Sequence, residues 1–299
     1  MNNAILFFYN INVSSVKKIN KNYYFKYLND NYGIYSYNRD ILDAPALYLL
    51  NIELLNRGLI GYEIIPTNNR EILFIYEGKY YIMMKFPNIT NRTISYNDIL
   101  NFNFEIENNK YKNLDKSNWN QSWSNKIDFI QYQFRQISNK YPIIDNAIDY
   151  FIGIWENAIS YYVDNVKTTS KKYVCHKRVD VNMDLLEFLN PLNFVVDYKE
   201  RDIGDYLKSY VTTKNYSIHS FDNILNYQSR DSIIVLISRI LFPSYFFDLY
   251  EKIIVDKQKE KDILKVIDKK SNIIHLLKYI FDRYYDLNIP YINWIKKSD

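Results

Sequence analysis

The hydrophobic period of the chain changes near residue 119, and this change restricts the possible folds more than any other feature. Before it, short aromatic and β-branched runs alternate with turn signals, which predicts strands. These runs are Ile5–Tyr9, Val16–Ile19, Tyr23–Leu28, Gly33–Tyr37, Tyr62–Pro66, Ile72–Tyr76 and Tyr80–Phe86. After it, apolar residues recur every three to four positions, which predicts helices. Examples are Trp123, Ile127, Ile130 and Phe134.

One helix is predicted inside the β-rich part, over residues 44–57. Leu47, Leu50 and Leu54 have helical spacing, and Gly58 follows at the usual stop position. Asp43 is the predicted N-cap, with Pro45 in the first turn.

The predicted organisation is a β-rich N-lobe over residues 1–88, an Asn-rich linker over 89–118 and a helical C-lobe over 119–299. Two short strands, near 173–176 and 193–197, interrupt the helical lobe. This is an α+β pattern, and it matches the two-lobed protein-kinase-like fold. Other α+β pairs of domains share the same pattern.

Composition narrows the function classes. The net charge of +4 is small and its signs are interleaved, so no nucleic-acid partner is predicted. The single cysteine, Cys175, excludes an intramolecular disulfide and a cysteine-based zinc site. No apolar run reaches the ~20 residues of a membrane span, and the N-terminus has no signal-peptide pattern. We therefore expect a cytoplasmic protein without a membrane span.

The two predicted strands of the C-lobe each end at charged residues. The first leads into His176, and the second, Phe194 to Val196, ends on Asp197. Charged groups at strand ends with a loop between them are typical of a binding or catalytic site. On residue types alone, an ordinary surface hairpin explains the segment equally well.

Five motifs together resemble YutH-type spore coat proteins. They are DYFIGIWENAISYYVD from Asp149, which includes Glu156 and Asn157; CHKRVDVN from Cys175; PLNFVVDYKERDIGDYLKSY from Pro191, which includes Arg201 and Asp202; ISRILFPSYFFDLYEKI from Ile237; and IPYINW from Ile289. That family is similar to the CotS coat proteins, in the aminoglycoside-phosphotransferase branch of kinase-like folds. The resemblance implies the fold, and it gives Glu156, Asn157, Arg201 and Asp202 structural roles.

The resemblance also shows which catalytic groups this sequence lacks. The related antibiotic kinases have a His-Gly-Asp loop with an Asn five residues after the Asp. Here His176 is followed by Lys177 and Arg178, so an arginine occupies the base position, and Met183 occupies the metal-binding Asn position. A guanidinium cannot accept a proton at physiological pH. Only a shifted loop would bring Asp180 or Asn182 into these roles.

Asp197 stands where the family has its metal-binding Asp, so the resemblance makes it the expected remnant of a metal site. The alternative is a structural role, in which Asp197 caps the next segment or pairs with Arg201. The N-lobe lacks the other phosphate-binding groups. No glycine precedes Gly33, so the first hairpin cannot form a glycine-rich cradle. The phosphate-binding lysine position falls on Lys26 or, by strand order, on Tyr35. Glu53 is a possible partner for Lys26.

Three functional hypotheses follow. The first is a catalytically degraded kinase that needs no cofactor and acts as a structural or interaction protein, with spore coat or other proteins as partners. It would lie in the coat if the source organism sporulates. The second is an ATP-dependent small-molecule or saccharide kinase that uses Mg-ATP with Asp180 or Asp197 as base. The third is a degenerate fold that binds nucleotide as a regulatory ligand.

Overall fold

The computed structural model describes residues 1–167, 171–213, 217, 221–226, 229–256 and 258–296. The chain begins with α1 (Asn2–Tyr9), and a small sheet follows. Its strands are β1 (Lys17–Ile19), β2 (Asn22–Tyr27), β3 (Asp30–Ser36), β4 (Glu63–Ile65), β5 (Phe74–Tyr76) and β6 (Lys79–Lys85). They lie in the order β1-β2-β3-β6-β4, with β5 also on β6, and all their pairings are antiparallel.

The prediction of a strand at Ile5–Tyr9 is wrong, because these residues lie in helix α1. A short apolar run does not reveal its period, and strand and helix cannot be separated by pattern in such a run. The buried residues Ala4, Ile5 and Tyr9 lie one helical turn apart and pack on the sheet residues Phe74 and Met83.

The predicted helix over residues 44–57 is present as α2 (Asp43–Asn56). Its N-cap is Leu42 and not Asp43, because Asp43 lies inside the helix and forms an ion pair with Arg39 at 3.2 Å. Gly58, with φ of 91°, follows the helix end. Buried Asn51 donates to the Tyr62 carbonyl at 2.8 Å and accepts from the Ile64 amide at 3.0 Å, which ties α2 to β4.

The rest of the chain is mainly helical. Its helices are α3 (Tyr96–Asn101), α4 (Trp119–Arg135), α5 (Pro142–Asn165), α6 (Leu185–Phe188), α7 (Glu200–Thr213), α8 (Asp222–Leu225), α9 (Arg230–Leu241), α10 (Ser244–Asp256), α11 (Leu264–Ile267), α12 (Lys270–Arg283) and α13 (Asn293–Lys296). The short strands β7 (Glu105–Ile106), β8 (Lys172–His176) and β9 (Phe194–Asp197) form a second sheet in that order. The predicted strand pair is thus present.

The chain folds into two compact units. The first contains residues 1–94, 106–115 and 182–196, and the second contains the described residues of 95–105, 116–181 and 197–299. The first unit holds the six-stranded sheet and α2, and the second holds most of the helices. The boundaries expected from the sequence at residues 88 and 118 stay a prediction.

The core of the helical unit is built around Trp155 on α5. Its fully buried indole contacts Phe242 and Phe247 with ring centroids 4.9 and 4.4 Å away. Gly153 on the same helix does not mark a close helix contact. A Cβ built there meets nothing within 4 Å, and the Gly153 carbonyl instead accepts from the Asn157 amide at 2.7 Å.

Among the described residues, Arg230–Asp256 is long and apolar enough to cross a membrane by length and composition alone. The stretch consists of α9 and α10, separated at Pro243. Its most apolar window is 83% buried in the protein interior, as is typical of core helices. The expected absence of a membrane span stays a prediction.

Replacing Trp155 with Ala should lower the free energy of unfolding by roughly 3–5 kcal/mol, because a fully buried indole leaves a large cavity. Urea denaturation measures the loss. Phe129→Ala is the control, since Phe129 on α4 is 58% exposed and its loss should change stability by no more than about 0.5 kcal/mol. A loss below about 1 kcal/mol for Trp155→Ala would contradict this packing.

Candidate functional site

The loop after β8 is held by the first turn of α7. Asp202 accepts from the His176 backbone amide at 2.9 Å, and its second oxygen lies 2.6 Å from Nδ1 of His176. Arg201 donates to the carbonyls of His176 and Lys177 at 2.8 and 2.9 Å. The His176 ring is fully buried and contacts Phe102. These contacts fix the loop backbone, so Arg201 and Asp202 act here as positioning residues.

Asp197 ends β9 with a fully buried carboxylate whose two oxygens are both engaged. One oxygen accepts from Nη1 of Arg201 at 2.5 Å and from the Trp119 indole at 3.0 Å. The other accepts from the Tyr198 backbone amide at 2.8 Å. A buried carboxylate must be neutralised and hydrogen-bonded, and Arg201 and Trp119 do this within the same unit.

Arg178 is held by a bidentate ion pair with Asp248 on α10. Nε and Nη2 of Arg178 donate to the two Asp248 oxygens at 2.7 and 2.8 Å. Burial alone would lower the pKa of the Arg178 guanidinium, but the Asp248 charge outweighs it and raises that pKa. In the same way the Arg178 charge overcomes burial and lowers the pKa of Asp248. Arg178 therefore stays protonated and cannot act as a base.

Asp180, Asn182 and Met183 in the same loop differ in their exposure to solvent. Asp180 is exposed and accepts from the Ser209 hydroxyl on α7 at 2.8 Å. Ser209 in turn accepts from the Val181 amide at 3.2 Å. Asn182 is exposed, whereas the Met183 side chain is buried. Asp180 thus fixes the loop to α7.

A second group of buried charges lies between α7 and α9. Asp205 accepts from Nε and Nη2 of Arg239 at 3.0 and 2.7 Å, and the Lys208 ammonium lies 3.2 Å away. Lys208 also donates to the Arg239 and Phe242 carbonyls and to the Ser244 hydroxyl at 2.8, 3.1 and 3.0 Å. These donations satisfy the C-terminal end of α9.

The pKa values of this group follow from burial and pairing. Burial alone would raise the pKa of the Asp205 carboxyl, but the Arg239, Lys208 and Arg178 charges hold it well below its usual range. Burial lowers the pKa of Lys208 to about 7, against the opposing attraction of Asp205.

The residues present do not fit a catalytic magnesium ion. Both Asp197 oxygens already accept hydrogen bonds, one of them from a guanidinium that a cation would have to displace. Met183 offers a thioether, which is not a magnesium ligand. Among the described residues, no group of three or more His, Cys, Asp and Glu side chains is arranged to hold a metal ion.

In the first unit, Glu53 does not take Lys26 as its partner. Glu53 on α2 accepts from Lys110 at 2.6 Å and from the Tyr111 hydroxyl at 2.7 Å, and it pairs with Arg57 at 3.3 Å. Lys26 is exposed on β2. No sequence signal links Glu53 to Lys110, because they are 57 residues apart.

Tyr35 is buried on β3, in an aromatic cluster with Tyr24, Tyr62 and Phe86. Gly33 makes room for this ring, because a Cβ at Gly33 would come within 2.5 Å of it. The position offers a buried phenol, and burial raises the pKa of Tyr35 far above its usual range. A neutral phenol cannot replace the charge of a phosphate-binding lysine.

The polar motif on α5 consists of Glu156 and Asn157. Glu156 and Asn157 are both exposed, and the Asn157 amide donates to the Gly153 carbonyl one turn earlier.

Sequence reasoning missed Asp205, Lys208, Arg239 and Asp248. One signal was available, since Arg239 interrupts the apolar run Ile233 to Phe242 and a charge inside a buried helix needs a partner. Asp248 gives no such signal, because it is 70 residues from Arg178.

Asp197→Ala should lower the free energy of unfolding by roughly 3–5 kcal/mol, because it leaves the Arg201 guanidinium buried without its carboxylate. Denaturant unfolding measures this. Asp180→Ala is the matched control, since it removes an exposed carboxylate and should cost no more than about 1 kcal/mol. Equal losses in the two variants would contradict the proposed role of the buried pair.

Asp205→Asn should show a stability deficit that depends on pH. The folded pKa of Asp205 lies below its unfolded value of about 3.9, so its ionic contribution is present above that value and is lost as pH falls through the folded pKa. The difference between parent and variant should therefore shrink as pH falls below about 4, whereas nearer pH 7 it also follows the titration of Lys208, whose pKa the Asp205 charge raises against burial. Asp231→Asn, at a carboxylate 48% exposed, is the control, and a difference that does not vary with pH would refute the assignment.

Comparison with solved structures agrees with this architecture. An aminoglycoside phosphotransferase from Alicyclobacillus acidocaldarius superposes with a TM-score of 0.68 at 8% identity, covering 96% of this chain and 97% of that chain. Spectinomycin phosphotransferase APH(9)-Ia gives a TM-score of 0.61 at 11% identity, covering 94% and 96%. At such identities the likeness shows the fold alone, which is the protein-kinase-like fold expected from the sequence.

Sequence comparison gives the family. Endospore coat-associated protein YutH of Bacillus subtilis (strain 168) is 24% identical over 269 residues, which are 78% of this chain and 79% of that protein. Residues 2–277 match the family described as "Spore coat putative kinase YutH". Because that match covers most of the 299 residues, the chain belongs to the YutH spore coat family.

Proposed function

We propose that this chain is a catalytically degraded kinase-like protein that acts as a structural or interaction protein of the endospore coat. The observation that carries the proposal is the ion pair of Arg178 with Asp248. Arg178 occupies the position at which the related kinases place the Asp that orients the attacking group. A guanidinium held by two hydrogen bonds to a carboxylate neither accepts a proton nor leaves its place.

The loss extends to the other groups that phosphoryl transfer needs. A kinase places metal ions on carboxylates to neutralise the phosphate oxygens. Here the Asp197 carboxylate is neutralised by Arg201, and the lysine position falls on Tyr35, whose ring is buried. Groups that act as a unit lose nearly all of their rate when several are removed. We therefore expect that the chain uses no Mg-ATP cofactor.

Family membership supports the coat assignment. The Bacillus subtilis relative is named as endospore coat-associated, and this chain has the same family pattern over most of its length. With catalysis removed, the remaining role is to contact other proteins, and coat proteins are the expected partners. Where the source organism forms spores, we expect the chain in the coat.

The purified chain should show no Mg²⁺-dependent hydrolysis or transfer of phosphate from radiolabelled ATP, because the base, metal and phosphate groups are replaced. An active aminoglycoside phosphotransferase is the positive control. Turnover in the parent that is lost in Asp180→Ala or Asp197→Ala, with both variants shown to be folded, would overturn the proposal in favour of a small-molecule or saccharide kinase.

Thermal unfolding with and without Mg-ATP tests the third hypothesis, that the chain binds nucleotide as a regulatory ligand. A ligand at ~100-fold excess over its Kd adds about 2.7 kcal/mol to stability. We expect no stabilisation by Mg-ATP. Stabilisation without turnover would instead identify a nucleotide-binding regulatory protein.

A further inference from the structure

The outer face of α2 carries a row of exposed aliphatic side chains. Leu42 is 72% exposed, Leu49 57% and Ile52 37%, and Ile41 and Pro45 beside them are also exposed. The opposite face of the same helix buries Leu47, Leu50 and Leu54. A helix that is apolar on all sides is normally covered on all sides.

These side chains form one stripe along the helix. Leu42, Pro45, Leu49 and Ile52 are spaced by three and four residues, which places them on one face. From Leu42 to Ile52 the stripe is about 15 Å long. Apolar spacing of this kind fits against another helix with the same spacing.

The charges on α2 are engaged within its own unit. Asp43 pairs with Arg39, and Glu53 pairs with Lys110 and Arg57. The stripe itself is uncharged, so it offers no attraction to a nucleic acid or an acidic peptide. A second copy of the same stripe meets no like charge across a two-fold axis.

The exposed area suits a symmetric pair. A fully exposed Leu or Ile has an accessible surface of about 200 Å², so Ile41, Leu42, Leu49 and Ile52 present roughly 430 Å² at their exposures. Pro45 adds to this, and two copies together approach the ~1,000 Å² that a specific interface needs.

We propose that the α2 stripe is a homodimer interface, in which α2 packs antiparallel against α2 of a second copy. The middle of the stripe lies between Pro45 and Leu49, so a two-fold axis there places Leu49 about one helical turn from its own counterpart. This inference goes beyond the proposed function and does not depend on the loss of catalysis.

The experiment measures the molar mass of the purified chain by analytical ultracentrifugation over a range of concentrations. The parent should be a dimer. Leu49→Glu and Leu49→Lys should each raise the dimer Kd at least about 100-fold, because each sets like charges against each other near the axis. An equimolar mixture of the two variants should dimerise again. Phe129→Glu, at an exposed apolar residue on α4, should leave the dimer intact.

Three results would overturn the proposal. They are a parent that stays monomeric at every concentration, a dimer that Leu49→Glu leaves unchanged, and a Glu and Lys mixture that does not associate. Circular dichroism checks that each variant is folded, and Leu42→Glu replaces Leu49→Glu if the latter unfolds. ATP turnover is measured separately, so failure of this inference and failure of the proposed function give different results.

Discussion

The buried guanidinium of Arg201 is the interaction on which the central loop depends. It neutralises Asp197 and donates to the carbonyls of His176 and Lys177, so a single cation joins the end of β9 to the loop after β8. A carboxylate buried without a cation would cost far more than the pair gains. In an active kinase a metal ion bridges such a carboxylate to phosphate, and here a side chain of the chain itself neutralises it. The loop is therefore held by a contact that requires no ligand.

Two further ion-pair groups of the helical unit also join separate elements. Asp205 is paired with Arg239 and Lys208, and Asp248 is paired with Arg178. The buried Asp205 carboxylate has cations from its own unit, which is the condition for keeping an ionised group away from water, whereas the Arg178–Asp248 pair is partly exposed. These pairs link α7, α9, α10 and the loop, and their geometry accounts for the pKa directions of Asp205 and Asp248.

Local sequence patterns correctly predicted the helices and strands whose formation depends mainly on residues close in sequence. Helix α2 followed from leucine spacing and a stop glycine, and the strand pair β8 and β9 followed from apolar runs that end on charges. The strand expected at Ile5–Tyr9 failed because an eight-residue helix carries too few turns to show its period. The partners of Glu53 and Arg178 were not indicated by the sequence, because Lys110 and Asp248 lie 57 and 70 positions away from them. Sequence spacing carries no information about such tertiary pairs.

If the proposed function is correct, the pairing around Arg178 predicts that one substitution would not create a catalytic base. Arg178→Asp would place a third carboxylate beside Asp248 and Asp205. It would also remove the positive charge that now pairs with them. Asp205 would keep Arg239 and Lys208, but Asp248 and the new carboxylate would repel each other without the Arg178 charge, which favours protonation of one of them. Asp197 would still be paired with Arg201, and its release from that pair would free the loop that Arg201 holds. A catalytic base at residue 178 would therefore require changes to several charged residues at once.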